Sequence, residues 1–371
     1  MKNVWNTVFC ILFVLLLALP FAFSNFKKDQ VSELDNTYLP ELDWSGDCSV
    51  RERISQLENY LDMRIGFRNQ ALDSYIWLND RLFRLMAHPT YMYGKNGYVF
   101  FKTPNYLEDY QHLNLDQPWA EHFVGWMQTF SNMARDRGVD FYYLLIPDKK
   151  TVYSEYFPSG CNVLGDVSRT DQVLAELQKT DVNWFFPLEL MLEAKKTQSM
   201  ANPKYDAGHW NENGAFVVLQ ALIERMREQH PELPPLRLEE FEIGTEHMDT
   251  LPVSHFPIDE DVPVYSRKQS SAEEDKQWLK EHLTGAERGN YCTHYVDSSH
   301  PELPKLLVIH DSYLIEHEKF FEGHFSELTF LHRVNLTGPA VFERYLEDIQ
   351  PDVVLYENPE RSFEISFDPA R

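Results

Sequence analysis

The 371-residue chain lacks most of what would mark a metal, nucleic-acid or multi-span membrane protein. It has four cysteines, Cys10, Cys48, Cys161 and Cys292, and none lies in a CxxC or other metal-ligand spacing. Cys10 falls in the apolar N-terminal run, so three remain for the folded part; one disulfide plus a free thiol is open, and cysteine usage does not fix the redox compartment. Basic charge is scarce. Against 34 Lys and Arg stand 58 Asp and Glu, a net charge of −24 and a pI near 4.9, with no cluster of Lys or Arg to compensate. Such a surface repels phosphate backbones and argues against nucleic acid as a partner. Apolar runs of membrane length are missing after the first 26 residues, and a mean hydropathy of −0.44 excludes a polytopic membrane protein. There is no internal repeat and no low-complexity tract.

What is present is enough chain for one large domain, or a main domain with a smaller companion, able to bury a catalytic cleft. The aromatic load of 8 Trp, 19 Tyr and 25 Phe supplies core residues first; some of these rings can also stack on sugar faces. Residues 1–26 begin with Lys2 and continue into an apolar run ending near Pro20, with Ala22-Phe23-Ser24 offering the small residues a signal peptidase needs. The same run approaches the ~17–25 residues of a membrane anchor. As signal peptide or as anchor, it places the rest in the periplasm or on the extracytoplasmic face. Residues 27–48 read as a polar linker, and residues 49–371 as the main domain.

The pattern beyond the linker is that of an α/β protein. Helical spacing runs over 49–87, and Asn96-Gly97 between aromatic and β-branched residues predicts a hairpin over 93–101. A helix over 117–137 ends at Gly138 and is followed by a buried strand over 139–146. Helices over 168–179, 187–197 and 213–229 alternate with a strand over 182–187. Residues 305–309, 328–331 and 351–357 read as further strands, with a helix over 339–349. This rhythm predicts a parallel sheet flanked by helices. Residues 231–300 show no sustained period and read as an insertion of loops or a small subdomain, with a helical patch at 272–283.

Two segments carry chemistry. Asp206 stands three residues before His209 in the turn that opens the 213–229 helix, close enough to reach one imidazole nitrogen and leave the other to take a proton. Ser312 follows the strand 305–309 and should emerge at the C-terminal edge of the sheet, where ligands collect, just before a helix start. A backbone N–H at that turn is placed to donate to an oxyanion. The alternatives are an N-cap serine and a capping histidine. Lys149 sits near the same edge and reads as a solvated loop lysine.

Asp-x-x-His together with Asp311-Ser312 after a strand resembles the SGNH hydrolase superfamily. More closely, the chain resembles the alginate O-acetyltransferase AlgJ/AlgX family of SGNH-like proteins, whose Asp/His block precedes the serine in a permuted order. The resemblance includes residues 62–68 and 93–100, Ile146-Pro147-Asp148-Lys149, His209-Trp210-Asn211 with Gly214-Ala215, Asp311-Ser312-Tyr313, and 351–355 with Glu357 and Glu360-Arg361. It implies an SGNH-like fold and no cofactor or metal. The implied reaction is acetyl transfer through Ser312, with His209 as base and Asp206 as orienting acid, onto hydroxyls of an exopolysaccharide, alginate-like or other. It also implies a membrane-bound O-acyltransferase as acetyl supplier. A carbohydrate acetylesterase and a non-catalytic polysaccharide-binding or assembly protein are the alternatives. Two departures stand out. The family usually has Asp two residues before His, where this chain has Ala207. His310 replaces the usual Gly before Asp-Ser, either altering the turn or bringing a second imidazole near the site.

Overall fold

The computed structural model describes residues 2–26, 31–32, 37–42, 49–88, 90–113, 117–251 and 256–363. It divides into two compact units: residues 1–92 with 248–260, and residues 93–247 with 261–371. In the first unit, helix α1 (Lys2–Ala22) contains 19 consecutive residues, Val4–Ala22, long and apolar enough to cross a membrane, none of them buried. Much of the expected linker 27–48 lies outside the described residues. Helix α2 (Val50–Asp62) starts at a capping box, in which the Ser49 side chain accepts the Glu52 N–H and Glu52 returns the contact to the Ser49 N–H. Helix α3 (Arg68–Leu78) runs into a single π-turn at Asn79–Phe83.

The second unit is built on a seven-stranded sheet: β1 (Asp140–Ile146), β2 (Asn183–Phe185), β3 (Glu273–Glu274), β4 (Thr293–Val296), β5 (Lys305–His310), β6 (Glu327–His332) and β7 (Val353–Pro359). Its order is β2-β1-β7-β5-β6-β4-β3. The strands from β2 to β6 are parallel, and β4 and β3 add antiparallel to one edge. Strands buried on both faces need apolar residues at every position, which is why β1, β5 and β7 read as unbroken apolar runs. On one face Tyr143, Leu145, Leu307, Ile309, Val354 and Tyr356 pack with Phe123 and Phe130 of α4 (Gln117–Arg135) and with Phe342 and Leu346 of α5 (Pro339–Ile349). Each such aromatic or aliphatic side chain contributes roughly 1.5–3 kcal/mol on burial. Gly138, at φ 73°, ends α4 in the left-handed conformation that glycine adopts without strain and turns the chain into β1.

The Asn96-Gly97 turn forms as expected, with φ of 54° and 80° and the Gly94 N–H bonded to the Tyr98 carbonyl at 2.7 Å. Residues 231–300 differ from expectation. Phe241–Thr250 and Pro257–Arg267 form a two-stranded ribbon, and residues 273–296, rather than standing apart as an insertion, supply β3 and β4 to the main sheet. The ribbon's base is held by an aromatic cluster in which Phe241 lies 5.2 Å from Phe320 and Tyr265 lies 5.7 Å from Phe216. Cys10, Cys161 and Cys292 are free thiols; Cys48 lies outside the described residues.

Candidate active site

The central parallel strands deliver one polar residue each to the C-terminal edge of the sheet. Asp148, Arg361 and Ser312 stand two residues beyond the ends of β1, β7 and β5, which are neighbours in the sheet. In open α/β sheets the ligand crevice lies at this edge.

Asp206 and His209 come from the turn before helix α6 (Glu212–Met226). Asp206 builds that turn itself: its Oδ1 accepts the N–H of Gly208 at 2.8 Å and of His209 at 2.9 Å. The same carboxylate meets His209 Nδ1 at 3.0 Å through Oδ1 and at 2.9 Å through Oδ2. The three-residue spacing therefore brings the carboxylate to the ring, while Ala207 is buried. Burial would raise the Asp206 carboxyl, but His209 and the two backbone N–H groups hold it well below the usual carboxylate range. With Nδ1–H donating to Asp206, Nε2 is left as acceptor, and it lies 2.8 Å from Ser312 Oγ. Gly208 is required by close approach, because a Cβ there would fall 2.5 Å from the Phe101 ring and 3.0 Å from Arg361 Nη1. At the start of α6, Asn211 caps the helix by accepting the Gly214 N–H at 3.1 Å.

Ser312 opens a short 3₁₀ turn, Ser312–Leu314, rather than the expected helix. Its neighbour Asp311 accepts the Ser312 N–H at 2.6 Å and lies 2.8 Å from Oγ through the same oxygen. The backbone donor expected to face an oxyanion is thus directed at Asp311. Burial would raise Asp311, but the Arg333 guanidinium on its other oxygen keeps it low. The serine hydroxyl has one proton and two acceptors, Asp311 and His209.

Three features were missed by sequence reasoning. Arg361 Nη2 donates to His209 Nε2 at 3.1 Å, while its Nη1 reaches Asp148 and, at 2.8 Å, the Tyr313 hydroxyl. Asp148 is fully buried and also takes the Lys150 ammonium at 2.8 Å. Lys149 is buried and not solvated: its ammonium donates to the carbonyls of Val99, Asn202, Pro203 and Asp206 at 2.5–3.0 Å, clamping the loop that carries the carboxylate. The available signal was the position of Asp148 and Arg361 just beyond two apolar strands. His310 turns both ring nitrogens to backbone carbonyls rather than to the His209–Ser312 pair. It is buried, 2.8 Å from the Asp311 carbonyl and 3.2 Å from that of Tyr291. The two turns are joined by Trp210, whose indole N–H donates to the Tyr313 carbonyl at 3.0 Å.

Comparison with known proteins bears on what these groups belong to. Solved structures sharing the fold include Bacillus cereus PatB1 with a sulfonyl adduct, at 17% identity and a TM-score of 0.54 over 73% of this chain and 97% of that one. A DHHW family protein from Eubacterium siraeum aligns at 15% identity and a TM-score of 0.52, covering 74% of this chain and 92% of its own. The O-acetyltransferase domain of Pseudomonas putida AlgJ aligns at 18% identity and a TM-score of 0.45 over 76% and 97%. A search of curated proteins finds no match. Residues 92–268 match the family described as SGNH hydrolase-like domain, acetyltransferase AlgX, a range that holds Asp206 and His209 and stops before Ser312. Over that stretch, just under half of its length, the chain is similar to the SGNH hydrolase-like domain of AlgX acetyltransferases.

Proposed function

We propose that the protein transfers acetyl groups through a Ser312 acyl-enzyme onto hydroxyls of an extracytoplasmic polysaccharide. The observation that carries this reading is the continuous line from Asp206 through His209 to Ser312, with 2.8 Å between Nε2 and Oγ. Ser312 Oγ attacks the acetyl carbonyl carbon while its proton passes to His209 Nε2; collapse of the tetrahedral adduct breaks the bond to the donor, whose leaving group takes that proton. A sugar hydroxyl then gives its proton to Nε2 and attacks acetyl-Ser312, and the returning proton restores the serine. Asp206 stabilises the imidazolium in both halves. Arg361 is the cationic donor beside the reacting atoms and favours the negative charge that develops on the carbonyl oxygen.

The apolar helix α1 supports delivery to, or anchoring at, the outer face of a membrane, with a membrane-bound O-acyltransferase as acetyl supplier. The test is acetyl release from a chromogenic acetyl ester with and without oligosaccharide, comparing wild type with Ser312→Ala. Ester cleavage lost in the variant, with acetyl appearing on sugar in the wild type, is the expected result. Release to water alone would replace the transferase by an esterase. Equal rates in both proteins would overturn the serine chemistry.

A further inference from the structure

A cavity of 410 Å³ opens on the other side of the ionic cluster that touches His209. Its floor is Lys150, Thr151, Thr170 and Glu360, and its walls include Tyr110 and Phe186. The volume lies within the range of small-molecule sites. Two charged groups of the floor are built into the fold, Glu360 being 5% exposed and Lys150 4%. The Thr151 hydroxyl donates to Glu360 Oε1, from which the Lys150 ammonium lies 3.6 Å; the Thr170 hydroxyl lies 3.4 Å from Oε2, and the Asp148 backbone N–H also bonds the carboxylate. A bond of 3.4 Å is weak, so Oε2 can take a better donor. Burial pushes the Glu360 carboxyl up to about 7, against the pull of Lys150.

Asp109, Glu155 and Asp171 join Glu360 around this cavity, against only Lys150 and Arg169. An anionic ligand such as a uronate meets net repulsion there, whereas a neutral polyhydroxyl ring finds a carboxyl acceptor, hydroxyl partners and aromatic walls. We propose that this cavity is a second binding site, separate from Ser312, that takes a neutral sugar ring with one of its hydroxyls donating to Glu360 Oε2. The site also reaches the triad. Lys150 bridges Glu360 to Asp148, Asp148 holds Arg361, and Arg361 donates to His209 Nε2. That coupling rests on the acyl-transfer reading; the binding does not.

The experiment is titration calorimetry on the full chain in a sugar-free detergent, with cellobiose and with glucuronate as probes. Cellobiose is expected to bind wild type and Ser312→Ala alike and to outcompete glucuronate. Its binding should weaken about tenfold in Leu188→Trp, which fills the cavity, and in Thr170→Val, which keeps its volume. Ester hydrolysis by the wild type should change severalfold on cellobiose addition, and the change should be absent in Leu188→Trp. No cellobiose binding at tens of millimolar, preferential binding of glucuronate, or binding untouched in both folded cavity variants would overturn the proposal. Ester hydrolysis unaffected by Ser312→Ala would overturn the serine chemistry and leave the isotherms as they are, so the two readings fail separately.

Discussion

The turn that carries His209 and the turn that carries Ser312 are built alike and act differently. Each has an aspartate whose Oδ1 accepts a backbone N–H of its own turn, and each aspartate touches one member of the His209–Ser312 pair. Asp206 aligns with the imidazole and directs its free nitrogen toward the serine. Asp311 competes for the serine proton and has Arg333 as its fixed counter-ion. One carboxylate bonds the imidazole and the other the serine hydroxyl, although their local bonding is nearly the same. What separates their roles is which side chain each finds across the gap between the turns.

Removing the carboxylates one at a time should expose that difference. Asp206→Ala is expected to lower ester turnover by about 10³- to 10⁴-fold with the fold intact by circular dichroism, as for an orienting acid. An unchanged rate would mean that another group orients His209. Asp311→Asn should act on stability first. It removes the carboxylate charge that faces a partly buried Arg333, for a loss of about 3 kcal/mol in denaturant unfolding, while ester turnover stays within about tenfold. If its turnover fell as far as that of Asp206→Ala, the two turns would be equivalent after all.

A smaller effect sharpens the comparison from beneath the Ser312 turn. Burial lowers His310 to about 4, and His317 and His294 likewise, so each is neutral in the fold and protonates near 6.5 when unfolded. Between pH 6.5 and 4 the unfolded chain binds more protons, and stability falls on acidification through that window. His310→Gln should flatten the fall by on the order of 1–3 kcal/mol, read from melting temperature against pH. A profile identical to wild type would show that His310 is not held neutral.

Local chemistry made part of this visible without a fold. Asp206 and His209 lie three residues apart and shape a single turn, so their contact depends on no other element. The apolar runs 139–146 and 305–309 read as strands because both faces of each are covered. Legibility failed where the deciding partner is distant or the strand is short. β4 has four residues and pairs with β6 across more than thirty positions of chain, so the 231–300 segment showed no period of its own. Lys149 is a loop lysine by its neighbours and becomes a buried clamp only because carbonyls from residues 99 and 202–206 converge on it.

The sequence by itself determined the acidic α/β character of the chain, the apolar start, the Asp206–His209 turn and the placing of Ser312 after a strand, because each follows from residues within a few positions of one another. The tertiary structure alone decided that Ser312 meets Nε2 across 103 residues, that Arg361 arrives from 152 residues beyond His209, and that Asp148 holds it there. Those contacts exist because β1, β7 and β5 are neighbours in the sheet and not in the chain.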